Sequence, residues 1–191
     1  MHSRAHIGFE RRRQIQVRKS FVGGLDAAEA NGDLDLTDFY ALCGEYMVMS
    51  LVRLDDQDQK ISDLLKERVP GEDAELHERL RVLDERQVKC RAMTNRFAGA
   101  VKKLKERGSE CKQAFEKAAR AFITEFTGLL APRRNPLEKY TDEYFTEKDW
   151  EWIADHSDAS VAMEEELYVR IQSTAPEGMD PAGFTAQHMP S

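Results

Sequence analysis

The sequence predicts an all-α protein: an up-down-up-down four-helix bundle with an additional C-terminal helix and a flexible tail. Apolar residues recur at intervals of three and four over long segments, which places them on one face of a helix. Helix-breaking residues fall in short connections between these segments, and no segment alternates apolar and polar residues as a strand does. Because the connections are short, successive helices are expected to run antiparallel, as they do in such a bundle.

Each predicted helix is delimited by residues that stop it. We predict helices over residues 7–30, 38–68, 73–107 and 110–130, a short helical piece over 137–144, a helix that opens near residue 150, and a last helix over 158–172. The turn Asn31-Gly32-Asp33 ends the first helix, and Pro70-Gly71 ends the second. Gly108 fits the position after the third helix. Pro132 and Pro136 break the chain after the fourth, since proline lacks an N–H and crowds the preceding turn.

Capping residues mark where several helices begin. Thr37 and Ser109 are N-cap candidates for the second and fourth helices, and Thr146 with Asp149 resembles a capping box. These boundaries divide the chain into a helical bundle over residues 1–157, a helical extension over 158–172 and a tail over 173–191. The proline, glycine and polar content of the tail predicts disorder.

Composition excludes several functional classes. The chain has 191 residues, a net charge of −7 and a pI near 5.3, so we expect no nucleic-acid partner. The basic run over residues 11–19 is too short to change that expectation. No apolar stretch approaches the roughly 20 residues that span a membrane, so we expect no membrane partner. Three widely spaced cysteines and a start without a signal-peptide apolar segment predict a cytoplasmic protein with reduced thiols.

Polar residues interrupt the apolar stripes of the long helices at corresponding places. The third helix carries an almost unbroken stripe, which Gln87 interrupts at its centre. Arg53 and Gln57 interrupt the stripe of the second helix and Arg133 that of the fourth. Arg11 or Gln14 of the first helix is expected to join them. These side chains are therefore expected to meet inside the bundle, in what we call the polar layer. The stripe of the third helix comprises Leu76, Leu80, Leu83, Cys90, Thr94, Phe97, Val101 and Leu104.

Two interpretations of the polar layer remain open. The layer could form a pocket for an anionic or amide-bearing small molecule, because arginine forks bind carboxylates and phosphates while glutamines orient a ligand. Alternatively, the polar groups could satisfy one another together with nearby acids, since buried charges pair internally when partners are at hand. Gln14 is the alternative to Arg11 on the first helix. The candidate acids are Glu45, Asp56, Asp84 and Glu125.

Three stretches resemble the hemerythrin-like (HHE cation-binding) family, over roughly residues 7–153. Residues 31–39 are similar to the loop between that family's first two helices, residues 58–68 to the segment after its second-helix ligands, and residues 144–150 to its closing stretch. The resemblance implies a four-helix bundle, and in the family this bundle holds two iron ions with histidines and carboxylates.

The sequence departs from that family at each ligand position that the resemblance places. The second-helix ligands fall on Arg53 and Gln57, the third-helix ligand on Gln87, and the others near Arg11, Leu129 and Arg133. Guanidinium and carboxamide groups are poor iron ligands. The chain's histidines, at positions 2, 6, 77, 156 and 188, are too scattered to replace a central cluster. The resemblance therefore implies the fold but no metal and no other cofactor.

We accordingly predict a metal-independent protein that binds an anionic small molecule or a partner protein, with Arg53, Gln57, Gln87, Arg133 and Arg11 as ligand-binding residues. One alternative is an enzyme that reuses the former metal cavity for acid–base chemistry, with Asp56, Asp84 or Glu125 as base and Arg53 stabilising an anion. A second is an iron- or oxygen-binding protein with displaced ligands. A third is a structural homodimer that associates through its fourth and fifth helices.

Overall fold

The computed structural model describes residues 3–31, 34–130 and 137–184, except the side chain of Leu130, and it confirms the all-α class. No strand occurs in these ranges. The helices in the same ranges are α1 Ser3–Asn31, α2 Thr37–Arg68, α3 Ala74–Arg107, α4 Lys112–Leu130, α5 Glu138–Tyr144, α6 Glu147–Ala154 and α7 Asp158–Thr174. Two short 3-10 turns, Gly108–Cys111 and Pro181–Gly183, complete the described structure.

Local signals confirm several of the predicted helix ends, but two predicted N-caps are wrong. Asp73 accepts a hydrogen bond from the Leu76 N–H at the start of α3, and Gly108 adopts a positive φ at its end. At the start of α6, the Thr146 N–H donates to Asp149 at 2.6 Å, which confirms that capping interaction. Thr37 is not the N-cap of α2 but its first residue, and the residue at the N-cap makes no side-chain capping bond. Helix α4 begins at Lys112 rather than after Ser109, because a 3-10 turn precedes it.

Side-chain pairs show the directions of the long helices. Glu45, early in α2, contacts Lys105 at the end of α3, whereas Lys66, late in α2, contacts Asp84 in the first half of α3. Helices α2 and α3 are therefore antiparallel. The same reasoning makes α1 antiparallel to α2 and to α4, through the pairs Glu10–Arg53, Gly24–Tyr40, Arg18–Phe126 and Asp26–Arg120. Helices α3 and α4 form a hairpin around the 3-10 turn and meet at Arg96–Glu125.

An aromatic cluster fills the core between these four helices. Phe97 of α3 stacks on Phe122 of α4 with ring centroids 4.1 Å apart, and Phe115 lies 5.8 Å from Phe97. The rings of Phe21 in α1 and Tyr40 in α2 are both tilted against the Phe115 ring, with centroid distances similar to that of the Phe115–Phe97 pair. Because each helix contributes a ring to one contiguous cluster, this core holds α1–α4 together.

Helix α7 lies along the outside of α1 and α2 and belongs to the same core. Its residues Leu167, Tyr168 and Ile171 are buried in the core cluster, and the Tyr168 ring lies 6.2 Å from the Tyr46 ring of α2. The Arg13 guanidinium of α1 lies 4.1 Å from the centre of the Tyr168 ring. The predicted extension thus forms α7, which packs on the core and extends to Thr174.

Part of the predicted tail is packed rather than extended away from the bundle. Residues 173–184 continue from α7 back along α1, where the Ser20 hydroxyl donates to the Met179 carbonyl and Pro181 is buried. The Met179 side chain occupies space that Gly23 leaves open, because a Cβ at Gly23 would lie 2.3 Å from its sulfur. The lack of a side chain at Gly23 therefore leaves room for the tail to pack on α1. Residues 185–191 lie outside the described residues.

Among the residues that the structure describes, no helix combines the length and the apolar content needed to cross a membrane.

Two glycine-to-alanine substitutions should change stability in opposite directions. A Cβ at Gly24 would lie 2.6 Å from the buried Phe39 ring, whereas a Cβ at Gly99 would meet nothing within 4 Å. We expect Gly24→Ala to lower the free energy of unfolding by about 1–3 kcal/mol through overpacking. Gly99→Ala should raise it by roughly 0.5–1 kcal/mol through helix propensity. Urea unfolding followed by circular dichroism measures both, and a gain for Gly24→Ala would contradict the close α1–α2 packing.

Candidate functional site

A buried ion-pair cluster joins α1, α2 and α7. The Arg53 Nη1 atom of α2 donates to Glu10 Oε1 of α1 at 2.6 Å, and the Arg53 Nη2 atom contacts Glu164 of α7. Exposed fractions are 7% for Arg53, 7% for Glu10 and 5% for Glu164, so water is largely excluded from all three. Such a burial is tolerated because the opposite charges lie in direct contact. One guanidinium thus faces two carboxylates.

Hydrogen bonds from uncharged side chains to the two carboxylates complete this cluster. The Tyr46 hydroxyl donates to Glu164 Oε1 at 2.8 Å, and Gln57 Nε2 donates to Glu10 Oε2 at 2.8 Å. Gln57 Nε2 also lies 3.2 Å from His156 Nε2. Because an amide nitrogen only donates, His156 Nε2 is the acceptor, and the ring is neutral with its proton on Nδ1. Burial and the neighbouring Arg53 guanidinium both lower the pKa of His156 below its ordinary value.

The structure brings together only part of the predicted polar layer. Arg53 and Gln57 meet in the cluster. Gln87 is buried, but its amide donates to the Asp55 carbonyl at 3.4 Å rather than to the cluster. Arg11 pairs with Asp58 at 2.9 Å, closer to the surface. Arg133 lies outside the described residues.

The predicted acidic partners are the wrong ones. Each lies at the surface and contacts a basic residue there, in the pairs Glu45–Lys105, Asp56–Lys60, Asp84–Lys66 and Glu125–Arg96. Glu10 and Glu164 pair with Arg53 instead. Glu10 could have been found, because it follows Ile7 and precedes Gln14 on the buried stripe of α1. Glu164 gave no local signal, because only the packing of α7 against α2 buries it.

An open groove lies beside the cluster, between α2, the second half of α3 and the start of α7. Its volume is about 840 Å³. The groove follows α2 from Glu45 to Asp56, which corresponds to about 16 Å of helix. Its floor is apolar and is formed by Val48, Met49, Val52, Ala98 and Val101. Arg53 and His156 line one end, and the charged or polar rim comprises Glu45, Asp56, Lys102, Lys105, Glu106 and Ser160.

The donor chemistry of a metal centre is not assembled in the described ranges. Within residues 3–31, 34–130 and 137–184, no three His, Cys, Asp or Glu side chains lie together so that they could hold a metal ion. The carboxylates of Glu10 and Glu164 both contact the Arg53 guanidinium. The cluster therefore offers ion pairing and hydrogen bonding where metal chemistry would need free donors.

Comparison with known proteins gives no independent assignment. No protein-family model matches the chain, and neither a curated protein nor a solved structure is similar to it. The function must therefore be argued from the groove and the cluster themselves.

The neutral state of His156 should make stability depend on pH. Its pKa is lower in the folded protein than in the unfolded chain, so the unfolded chain takes up a proton first as the pH falls below about 6.5. We expect the free energy of unfolding to fall between pH 7 and pH 5, and His156→Gln to remove part of that slope. Urea unfolding at several pH values checks this, with the exposed His77→Gln as control. An unchanged slope in His156→Gln would show that folding does not lower the pKa of His156, and this would contradict its neutral, buried state.

Proposed function

We propose that this chain is a hemerythrin-like four-helix bundle without a di-iron site, which acts without metal as a binding protein for a small amphipathic molecule. The antiparallel succession of α1–α4 and the added helix α7 support the up-down-up-down bundle. The ligand would lie in the groove between α2, α3 and α7.

The observation that carries this proposal is the apolar floor of the groove. Ligand pockets typically enclose about 300–1,000 Å³ and combine an apolar lining with a few polar groups, and the groove fits both criteria. Val52 at its floor is 60% exposed. An apolar chain laid along the groove would cover Val52 and its neighbours, and burial of that surface would supply the binding free energy.

The cluster does not favour the anionic pocket that the sequence suggested. Arg53 already contacts Glu10 and Glu164, so an anion could reach its guanidinium only by displacing a buried carboxylate. That exchange would leave the displaced carboxylate without a partner, at a cost of several kcal/mol. We assign Arg53 and Gln57 a positioning role instead. Arg53 holds Glu164 of α7 against α2, and Gln57 contacts Glu10 and His156, which lines the end of the groove.

The rival functions find less support in the geometry. Asp56, Asp84 and Glu125, the candidate bases of the enzyme hypothesis, each contact a basic residue at the surface and do not converge on one cavity. The displaced-ligand hypothesis has no set of metal donors within the described ranges. The homodimer through α4 and the following helices stays a prediction, which sedimentation analysis would test.

A non-ionic amphiphile tests the proposed function. We expect decyl maltoside, titrated calorimetrically below its micelle concentration, to bind with one molecule per chain. Val52→Asp should weaken this binding by about tenfold, because a carboxylate on the floor would have to be desolvated. Val88→Asp is the matched control, since Val88 is similarly exposed, at 65%, and lies outside the groove. Equal affinities for both variants would place the bound molecule elsewhere.

A further inference from the structure

The two ends of the groove differ in charge. At the α7 end, Arg53 faces two buried carboxylates, Glu10 and Glu164, and His156 is neutral because its Nε2 accepts a hydrogen bond. Asp56 on the rim at this end pairs with Lys60 at 3.1 Å. One negative charge is therefore uncompensated near the α7 end. Glu10 and Glu164 are largely shielded from water, where charge interactions are stronger, whereas Asp56 is exposed on the rim.

The opposite end of the groove is balanced. Lys105 contacts Glu45 at 2.7 Å, and Lys102 lies 3.8 Å from Glu106. Equal numbers of positive and negative groups thus form this part of the rim. An amphipathic molecule in the groove would encounter a neutral end, an apolar floor and an end with excess negative charge.

We propose that the groove selects amphipathic cations, with the positively charged head group beside Asp56 and His156 and the apolar chain over Val48, Val52 and Val101. This inference rests on the proposed function, because it names the ligand class of the same groove. Excess negative charge attracts a cation and repels an anion. Arg53 lines this end of the groove, but its own charge is offset by contacts with Glu10 and Glu164. The groove runs along about 11 residues of α2, and its floor is a single apolar strip. We therefore propose a free molecule with one apolar chain as the occupant.

A comparison of head groups on one chain length tests the charge preference. Calorimetric titrations at pH 7.5 would use decylamine, which is cationic, decanoate, which is anionic, and decyl maltoside, which is neutral. We expect decylamine to bind at least about tenfold more tightly than decanoate at low salt. Added salt should narrow this difference because it screens charges at the rim. Decanoate binding as tightly as decylamine would overturn the inference while leaving the proposed function intact.

Charge-neutral variants locate the head group. Asp56→Asn should reduce the preference for decylamine over decanoate several-fold. Asp63→Asn is the matched control: Asp63 is also an exposed acid on α2 but lies outside the groove, about 10 Å farther along the helix. We expect Asp63→Asn to keep the full preference. Equal effects of both variants would show that only the overall negative charge of the protein matters, and this would overturn the inference.

A chain-length series tests the apolar half of the assignment. From hexylamine through octylamine to decylamine, each added methylene should raise the affinity about fourfold if the chain lies along the floor. A constant affinity would indicate attraction of the ammonium group alone and would overturn the inference. If none of the three head groups binds, the proposed function itself fails. A dimer that Val52→Asp dissociates, without amphiphile binding, would assign the groove to a second copy of the chain.

Discussion

Replacing Arg53 with methionine should lower the free energy of unfolding by about 3–5 kcal/mol. The substitution leaves Glu10 and Glu164 buried without their shared counter-charge, and an uncompensated buried charge is strongly destabilising. Loss of the Arg53–Glu164 contact should also loosen α7 from α2. Urea unfolding at pH 7.5, followed by circular dichroism, measures the loss of stability.

A triple variant separates lost charge balance from lost packing. Arg53→Met combined with Glu10→Leu and Glu164→Leu removes all three charges and keeps similar side-chain volumes. Replacement of a buried ion cluster by apolar residues is often neutral or stabilising. Because Tyr46 and Gln57 lose their carboxylate acceptors, we expect the triple variant to recover part of the stability. A single Arg53→Met variant that loses less than about 1 kcal/mol would contradict the buried ion pair, since exposed pairs contribute that little.

Replacing Phe115 with alanine should lower the free energy of unfolding by about 3–5 kcal/mol. Phe115 is 2% exposed, and its ring contacts those of Phe21, Tyr40 and Phe97 at centroid distances of 6.0, 5.9 and 5.8 Å. Truncation removes apolar contacts and leaves a cavity that the rigid neighbouring helices cannot close. Urea unfolding again supplies the measurement.

The matched control for this prediction is Phe9→Ala. Phe9 is 37% exposed, so the same substitution removes much less buried surface. We expect it to cost less than half as much as Phe115→Ala. Similar losses for the two variants would mean that the aromatic cluster does not hold α1–α4 together.

The helices were predictable because their signals are local. The apolar periodicity, Pro70-Gly71 and Gly108 gave α2 and α3 nearly their observed ends. The same periodicity correctly indicated that Arg53 and Gln57 are buried, since they interrupt a stripe whose other members form the core. Local sequence was therefore sufficient to predict that these two polar residues of α2 are buried.

The partners of those groups were not predictable, because they come from elements distant in sequence. The sequence pattern indicated Arg11 or Gln14 as the inward polar residue of α1; Gln14 is buried, but Glu10, one turn before it, was not predicted. Glu164 and His156 belong to the region around α7, which packs on α2 through Tyr168 and Ile171. Nothing in the sequence of that region specifies which side of the bundle it covers.

This difference also reverses the expected charge of the ligand. From Arg53 and Gln57 alone, the site looked positively charged and suited to an anion. Two carboxylates that converge on Arg53 from α1 and α7 give the site an excess negative charge instead. The number of acids around a buried arginine is a tertiary property, so the preferred ligand charge could be inferred only from the folded chain.

The most direct test of metal-independent binding is a titration of decyl maltoside into protein that has been stripped of metal with EDTA. Elemental analysis of the same sample would establish that no stoichiometric metal remains. The account predicts one bound molecule per chain, with the affinity of untreated protein and the same loss in Val52→Asp. Binding that disappears on stripping and returns only with iron(II) would contradict it, and would restore the metal chemistry of the family that the sequence resembles.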